Sequence, residues 1–177
     1  HRDLHSFLHD ALPIYELFPA ALNAVAAARE VFAAEGVSPV ARHHQTDASS
    51  RFETGSELLR KIDGADGDAV VASLADIAPD LGRFIIEYSF GDVYARPGLR
   101  LQERELVTVA ACIALGTCVP QLRLHMRGYL NVGGTDEKLV ELVIQMAVYA
   151  GFPAALNGLS VLRDALAERG TIEADCK

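Results

Sequence analysis

Long apolar runs, a secretory leader and strand-like segments are all lacking in this chain. No apolar stretch approaches the roughly 18 residues that span a bilayer, and no positively charged start with a small-residue cleavage site opens the sequence. No alternating pattern or hairpin signal predicts a strand. We therefore expect an all-α, cytoplasmic protein with no membrane partner.

Cysteine is also scarce. The three cysteines, Cys112, Cys118 and Cys176, are too few and too unevenly spaced for a disulfide framework or a zinc cage. We expect free thiols, unless Cys112 and Cys118 pair, and no bound metal. Cys176 is expected to be a tail thiol without a role.

Basic residues are in deficit, with 16 lysines and arginines against 24 acidic residues. Nucleic-acid binding needs a basic stripe, and none is visible. We expect no nucleic-acid partner. An acidic small molecule would have to be held by a few local arginines.

Apolar spacing and glycine or proline signals predict a series of helices. A length of 177 residues with half of them apolar suits one compact core. Gly64 to Gly67 is expected to be a loop, and Arg96-Pro97-Gly98 a turn. The predicted helices cover about residues 15–35, 52–62, 68–77, 79–94, 101–115, 119–132, 135–150 and 153–168.

The spacing also predicts which helix faces are buried. In the helix from Pro79, a buried face is expected at Leu81, Phe84, Ile85 and Tyr88. The next three buried stripes are expected at Leu106, Val109, Ala110 and Ile113; at Leu139, Leu142, Val143, Met146, Ala147 and Ala150; and at Leu156, Leu159, Leu162 and Leu166.

The first fifty residues stand apart in composition. The run Leu8 to Ile14 matches the translation of a common sequencing adaptor, so residues 1–14 are interpreted as a non-native scar. Residues 15–50 are interpreted as one helix, with an apolar stripe and a stop at Gly36, followed by a linker. No metal site is assigned to the histidines of this part, namely His1, His5, His9 and the pair His43-His44, which we expect to be solvated.

A carboxylate and an imidazole fall on two consecutive predicted helices. If these helices pack antiparallel, Glu105 near the start of one can approach His125 near the end of the other. A carboxylate raises the pKa of a neighbouring histidine and fixes its tautomer, which suits a proton donor near neutral pH. The alternatives are a satisfied histidine at a helix interface and an ordinary first-turn acid.

Cys118 falls at the expected N-terminal edge of a helix, where free amides make a thiol reactive. It is roughly 10 Å along the helix axis from His125, too far to share a proton. The alternative is that Cys112 and Cys118 are small buried apolar residues.

Several arginines cluster around the same two helices. A planar guanidinium is the natural clamp for a small carboxylate. We favour Arg96, because Pro97 makes its loop rigid, and we assign Arg123 and Tyr94 with it to substrate binding. Surface charge is the alternative for the others, Arg100, Arg104 and Arg127.

Five segments form a recognisable series: residues 90–99, 104–108, 122–125, 131–133 and 148–155. In sequence and order they resemble the carboxymuconolactone decarboxylase family, whose relatives include the alkylhydroperoxidase D proteins. The resemblance extends over residues 51–168 and leaves 169–177 as a tail. It implies a helical bundle of the alkylhydroperoxidase D type that assembles into homotrimers or homohexamers.

For the γ-carboxymuconolactone decarboxylase branch, the resemblance implies loss of CO2 from a lactone carboxylate such as 4-carboxymuconolactone. This step belongs to the β-ketoadipate route of aromatic catabolism and needs no cofactor, because the lactone carbonyl accepts the electrons. The enzyme must hold the carboxylate, stabilise a dienolate oxygen and protonate carbon. In this scheme His125 donates the proton, Glu105 orients it and Arg96 clamps the carboxylate.

The redox relatives imply a different, peroxiredoxin-like activity in which Cys118 attacks a peroxide. Those relatives have a Cys-x-x-Cys pair before the histidine, but here Gln121 occupies the second position. Glu105 matches the glutamate of the redox branch, whereas decarboxylases often have a small polar residue there. A helical oligomer that binds a small acid without converting it is the third alternative.

Overall fold

A computed structural model describes the backbone of residues 4–39, 44 and 46–175, and the side chains of residues 19–39, 44 and 46–170. Every regular element in these ranges is a helix, so the predicted all-α class is confirmed. The chain divides into two units, residues 1–43 and 44–177. Within the described ranges, no helix combines the length and the apolar character needed to cross a membrane.

The first unit contains a single long helix, α1, Leu4–Ala34. It begins inside the segment interpreted as a scar, not at Tyr15. It ends as predicted near Gly36, whose φ of 64° suits a residue without a side chain. The apolar stripe expected on α1 is not buried, because Leu22, Val25, Val31 and Phe32 are all exposed.

Some sequence predictions fall outside the described residues. These concern the side chains of His1, His5, His9 and His43, and the tail thiol Cys176. His44 is described, and the expectation that it is solvated is wrong. Its side chain is half-buried, and its carbonyl accepts a hydrogen bond from Arg96 Nη1 at 3.2 Å.

The second unit begins with α2, Arg51–Ala72, in which two helical segments meet at a kink at Gly64; the two predicted helices are confirmed, and the predicted loop between them is reduced to this kink. Only Gly64 leaves the helical conformation, with φ 59° and ψ −139°. Glycine adopts a positive φ at little cost, so the helix resumes at once and no four-residue loop forms. Beside this kink, Asn131 Nδ2 donates to the Ile62 carbonyl at 2.8 Å, which ties α2 to a later helix.

Helix α3, Pro79–Phe84, runs directly into a π-helix, Ile85–Tyr94. The predicted buried face is wrong, since Leu81, Phe84 and Tyr88 are each at least half exposed. Ile86 and Phe90 are buried instead and pack against α2. From Ile85 onward, the π-helical hydrogen-bond pattern departs from the 3.6-residue period on which the prediction rested.

Four further helices follow with bounds close to those predicted: α4 Leu101–Leu115, α5 Val119–Asn131, α6 Asp136–Tyr149 and α7 Phe152–Asp175. Gly116, with φ 69°, ends α4, and the Thr135 side chain caps α6 by accepting from the Lys138 amide. The segment assigned to the tail, residues 169–177, continues α7 as far as Asp175.

Two clusters of buried side chains form the core of the second unit. The larger joins α4 to α7 and includes Val109, Ile113, Met126, Tyr129, Leu139, Val143, Met146 and Leu162, so the predicted stripes of α4 and α6 are confirmed at their central positions. On α7 the prediction is wrong for Leu156, which is 63% exposed. The smaller cluster joins α2 to the π-helix through Leu59, Ile62, Ile86 and Phe90.

Candidate functional site

A buried ion pair links α4 and α5 where the two clusters of the core meet. His125 Nδ1 lies 3.0 Å from Glu105 Oε2. Glu105 has no exposed surface, while 19% of the His125 side chain remains exposed. The structure therefore brings together the two residues that the helix spacing singled out, with the carboxylate enclosed and the imidazole reachable from outside.

The surroundings of His125 favour its charged form. Burial alone lowers the pKa of this histidine, but the hydrogen bond to Glu105 and the charges of Glu105 and Asp63 together raise the pKa above its ordinary value. With Nδ1–H donating to Glu105, the other ring nitrogen, Nε2, is left to face a substrate. This arrangement is chemically able to donate a proton from Nε2.

A third acidic group, Asp63 of α2, completes the cluster. It is 5% exposed, and its Oδ1 has no hydrogen-bond partner among the described residues. Burial, followed by the charge of Glu105, raises the pKa of Asp63 to about 7. Sequence reasoning missed this residue because it borders the segment predicted to be a loop. The available signal was its position directly after Ile62 on an apolar helix face.

Gly128, one turn after His125 on α5, makes room for both carboxyl groups. A Cβ atom there would lie 2.9 Å from Asp63 Oδ1 and 3.0 Å from Glu105 Oε2. It would also lie 2.8 Å from Ile62 Cγ2. Only a residue without a side chain lets α5 approach α2 and α4 so closely, so Gly128 is part of the architecture of the site.

Tyr94 closes another side of the cluster. Its hydroxyl forms a 2.9 Å hydrogen bond with Thr108 Oγ1, and the Arg104 guanidinium lies 6.0 Å from the centre of its ring. Burial and the charge of Glu105 raise the pKa of Tyr94, so the phenol stays protonated. Thr108 Oγ1 donates its own proton to the Arg104 carbonyl at 3.0 Å, so the Tyr94 hydroxyl is the donor in its bond to Thr108.

An open cleft of about 510 Å³ shares Tyr94 with this cluster. Arg96, Arg100 and Lys61 line the cleft together with one acidic residue, Glu57. The excess of positive side chains is local, since the whole chain has a net charge of −8. Arg96 is exposed at the rim, and its carbonyl accepts from Arg104 Nη2 at 2.8 Å, which fixes the loop.

Arg123, assigned with Arg96 to substrate binding, is not placed in this cleft. Its guanidinium lies 2.9 Å from Glu168 and 3.2 Å from Asp164 on α7. It lines a separate hollow of about 230 Å³ with Arg127, which is itself paired with Asp66 at 2.7 Å. Through these ion pairs, Arg123 links α5 to α7.

Cys118 caps the start of α5 and faces the preceding helix. Its thiol donates to the Cys112 carbonyl at 3.4 Å, and both thiols are free. Cys112 is buried in the larger core cluster. Burial and the neighbouring Cys118 raise the pKa of the Cys112 thiol to about 12. Cys112 is therefore a poor source of the thiolate that a redox pair requires.

The side chains of the cluster are close enough together to be considered as ligands of a metal cation as well as proton carriers. Asp63, Glu105 and His125 each offer an atom within 4.8 Å of the others. However, the hydrogen bond already engages His125 Nδ1 and Glu105 Oε2, at a distance typical of N–H···O bonds. The donor set is explained by proton sharing between a histidine and carboxyl groups.

Comparison with known proteins points in the same direction as the site. The model of the carboxymuconolactone decarboxylase family matches residues 79–164, which include Tyr94, Arg96, Glu105, Cys118 and His125. The 4-carboxymuconolactone decarboxylase of Acinetobacter baylyi is 32% identical over 121 residues, which cover 68% of this chain and 90% of that protein.

Two further relatives are similar. An uncharacterised 15.0 kDa protein of Paracoccus denitrificans is 28% identical over 118 residues, which are 66% of this chain and 88% of that protein. A nitrosuccinic acid decarboxylase of Metarhizium robertsii is 36% identical over 77 residues, which are 44% of this chain and 53% of that protein. Two of the three relatives are thus named as decarboxylases.

Proposed function

Because the chain belongs to the carboxymuconolactone decarboxylase family, we propose that it is a carboxy-lyase that removes CO2 from a small lactone carboxylic acid without a cofactor. The first substrate to test is 4-carboxymuconolactone, which the name of the Acinetobacter relative suggests. The observation that supports the proposal most is the 3.0 Å contact between the buried Glu105 and the partly exposed His125.

The substrate carboxylate binds in the cleft beside Tyr94. Arg96 stands at its rim, and a guanidinium pairs with a carboxylate through two parallel hydrogen bonds. Arg100 is paired with Glu103 at 2.9 Å, but Lys61 and Arg96 still outnumber Glu57 and attract an anion to this part of an acidic protein. Tyr94, held neutral by its surroundings, lines the same cleft and offers its hydroxyl oxygen as a hydrogen-bond acceptor.

The chemical step then needs one proton. As the bond between the ring carbon and the carboxylate breaks, CO2 leaves and the electron pair moves through the unsaturated lactone into its carbonyl. The resulting dienolate takes a proton at carbon from Nε2 of His125, and solvent later restores that proton. Glu105 holds the imidazolium in place and stabilises its charge, so that the donor is ready before the bond breaks.

The thiol-dependent alternative predicts a different essential residue. It requires Cys118 to attack a peroxide and a second thiol to resolve the product. Among the residues that the structure describes, the other thiol is Cys112, which is buried and has a pKa raised to about 12. This environment favours the lyase, in which neither cysteine takes part.

We also propose that the chain works as a homotrimer or homohexamer. Large apolar side chains at the junction of α6 and α7 are strongly exposed, namely Ile144, Val148, Tyr149, Phe152 and Leu156. Such a contiguous surface is typical of an interface between subunits. Size-exclusion chromatography with light scattering tests the assembly: three or six chains support it, and a monomer at micromolar concentration contradicts it.

The substrate proposal is tested with the purified full chain. We expect it to release CO2 from 4-carboxymuconolactone with formation of the enol-lactone. Arg96→Ala should raise KM by about tenfold with a smaller effect on kcat, because a clamp acts mainly on binding. Arg60→Ala is the matched control, since Arg60 is exposed on α2 and pairs with Asp68 outside the cleft.

Three outcomes separate the alternatives. Turnover of the lactone acid supports the lyase. Peroxide consumption that disappears in Cys118→Ser, without lactone turnover, supports the thiol enzyme instead. Saturable binding of the lactone acid without either reaction supports a binding protein.

A further inference from the structure

Asp63 is the one member of the buried cluster without a role in the proposed reaction. It lies outside the segment matched by the family model, which begins at residue 79. It is nevertheless 5% exposed and beside the fully buried Glu105. A carboxyl group in such a place needs a partner, because burying an uncompensated charge is costly.

The hydrogen bonds of the cluster do not satisfy all of its carboxyl oxygens. Asp63 Oδ1 and Glu105 Oε1 are both buried and have no hydrogen-bond partner among the described residues. One positive group, His125, faces the two carboxyl groups. The cluster is electrically neutral when His125 is charged, Glu105 is ionised and Asp63 holds a proton.

The other charged groups around Asp63 do not supply a second positive charge. Asp66, on its own helix, is engaged with Arg127 of α5 at 2.7 Å. Tyr94 of the π-helix is neutral. Glu105 of α4 and His125 of α5 are therefore the charged groups that act most strongly on Asp63, with a smaller contribution from Asp66.

We propose that Asp63 completes the site as a third, exchanging carboxyl group, which shares its proton with the Glu105–His125 pair and thereby sets the pH range over which His125 remains a proton donor. Asp63 is a positioning residue in this account, since it acts on substrate only through His125. The proposal rests on the proposed function for its catalytic consequence, but the proton sharing itself is a property of the resting protein.

The direction of the effect follows from charge. As the pH rises through about 7, Asp63 loses its proton, and its negative charge then holds the proton on His125 more tightly. His125 consequently stays charged to a higher pH than Glu105 alone would allow. Without Asp63 the imidazole loses its proton earlier, and donation fails at a lower pH.

NMR titration of the resting full chain tests the proton sharing without substrate. The Asp63 carboxyl carbon should titrate near neutral pH. In Asp63→Asn the pKa of His125 should fall by about one unit. Asp66→Asn is the matched control, because Asp66 is one turn further along α2 and its charge is already paired with Arg127. This variant should leave the pKa of His125 unchanged.

Kinetics with the lactone acid test the consequence. At pH 6, kcat of Asp63→Asn should stay within about twofold of the unsubstituted chain, and at pH 8 it should be lower by about tenfold. A purely structural role would lower kcat equally at both pH values. If neither protein turns over the substrate, the proposed function fails while the titrations still decide the proton sharing.

Three results would overturn the inference: an Asp63 carboxyl that is ionised throughout pH 5 to 9, a His125 titration that Asp63→Asn leaves unchanged, or one divalent metal ion per chain retained in this cluster. The carboxyl titration uses the unsubstituted chain, so the test stands even if Asp63→Asn does not fold. Metal content is measured by mass spectrometry on the purified protein.

Discussion

Nδ1 of His125 lies 3.0 Å from Oε2 of Glu105, and this carboxylate has no exposed surface. In water such a pair would be screened and weak, but in a buried site a single missing partner leaves the other unpaired. The functional properties of His125 therefore depend on Glu105 more strongly than a surface ion pair would suggest.

Replacing Glu105 by Gln removes the charge and keeps the shape. We expect the pKa of His125 to fall, because both the charged hydrogen bond and the attraction to Glu105 are lost. We expect kcat for the lactone acid to fall by about a hundredfold or more. NMR titration and steady-state kinetics measure the two effects; an unchanged His125 titration would contradict the role assigned to Glu105.

Asp63 should make the free energy of unfolding depend on pH. Its pKa is raised from 3.8 in the unfolded chain to about 7 in the folded one, so the folded state holds the proton more tightly. The favourable contribution is complete below pH 4 and disappears as the pH rises through about 7. Relative to the unsubstituted chain, Asp63→Asn should gain on the order of 4 kcal/mol between these limits.

Denaturant unfolding at several pH values measures this difference. Asp66→Asn serves as the control and should show no comparable gain across the same range. A stability difference between Asp63→Asn and the unsubstituted chain that is constant from pH 4 to pH 8 would be inconsistent with the raised pKa.

Gly128→Ala should disturb the site through packing alone. The added Cβ would lie within 3.0 Å of both carboxyl groups and of Ile62 Cγ2. We expect a loss of about 1–3 kcal/mol in stability, because overpacking forces the helices apart. Gly170→Ala on α7 is the control, since nothing lies within 4 Å of its Cβ position.

The control should be neutral or stabilising by up to about 1 kcal/mol, because alanine is the better helix former. Thermal unfolding compares the two variants. Equal melting temperatures would show that α5 does not depend on the close approach at Gly128.

Cys118→Ser should leave lactone decarboxylation within about twofold of the unsubstituted chain. The thiol packs at the edge of the larger core cluster and donates a hydrogen bond to the Cys112 carbonyl, which a hydroxyl of similar size can replace. Loss of activity in this variant, with its fold intact by circular dichroism, would contradict this prediction and support the thiol-dependent alternative.

The central part of the site could be predicted because it rests on two neighbouring helices. A short connection after Gly116 forces α4 and α5 to pack together, so spacing within each helix was enough to relate Glu105 to His125. The bounds of α4 to α6 followed from strong local signals, such as the left-handed glycine at the end of α4 and the Thr135 cap.

The remaining features depend on packing between distant segments. Asp63 reaches the site because α2 crosses α5 at Gly128, a contact that no local pattern reveals. Arg123 has a suitable chemistry for binding a carboxylate, but its contacts with α7 could be known only from the tertiary structure.

The prediction of which residues of the π-helix are buried was wrong for a related reason. Sequence periodicity assumes 3.6 residues per turn, and Ile86 and Phe90 are buried under a different hydrogen-bond pattern. The backbones at Gly91 and Arg51 also approach each other closely, since a Cβ at Gly91 would lie 2.6 Å from the Arg51 carbonyl oxygen. The helix type and the close approach of the two backbones thus determine which residues of the π-helix are buried.

The most direct test of the account is the rate of CO2 release from 4-carboxymuconolactone by the unsubstituted chain and by His125→Gln, with His44→Gln as a histidine control outside the pair. We predict turnover by the unsubstituted chain and by the control, and a loss of at least about a hundredfold in His125→Gln. Turnover that survives in His125→Gln would contradict the assignment of His125 as the proton donor, and no turnover by the unsubstituted chain would contradict this substrate.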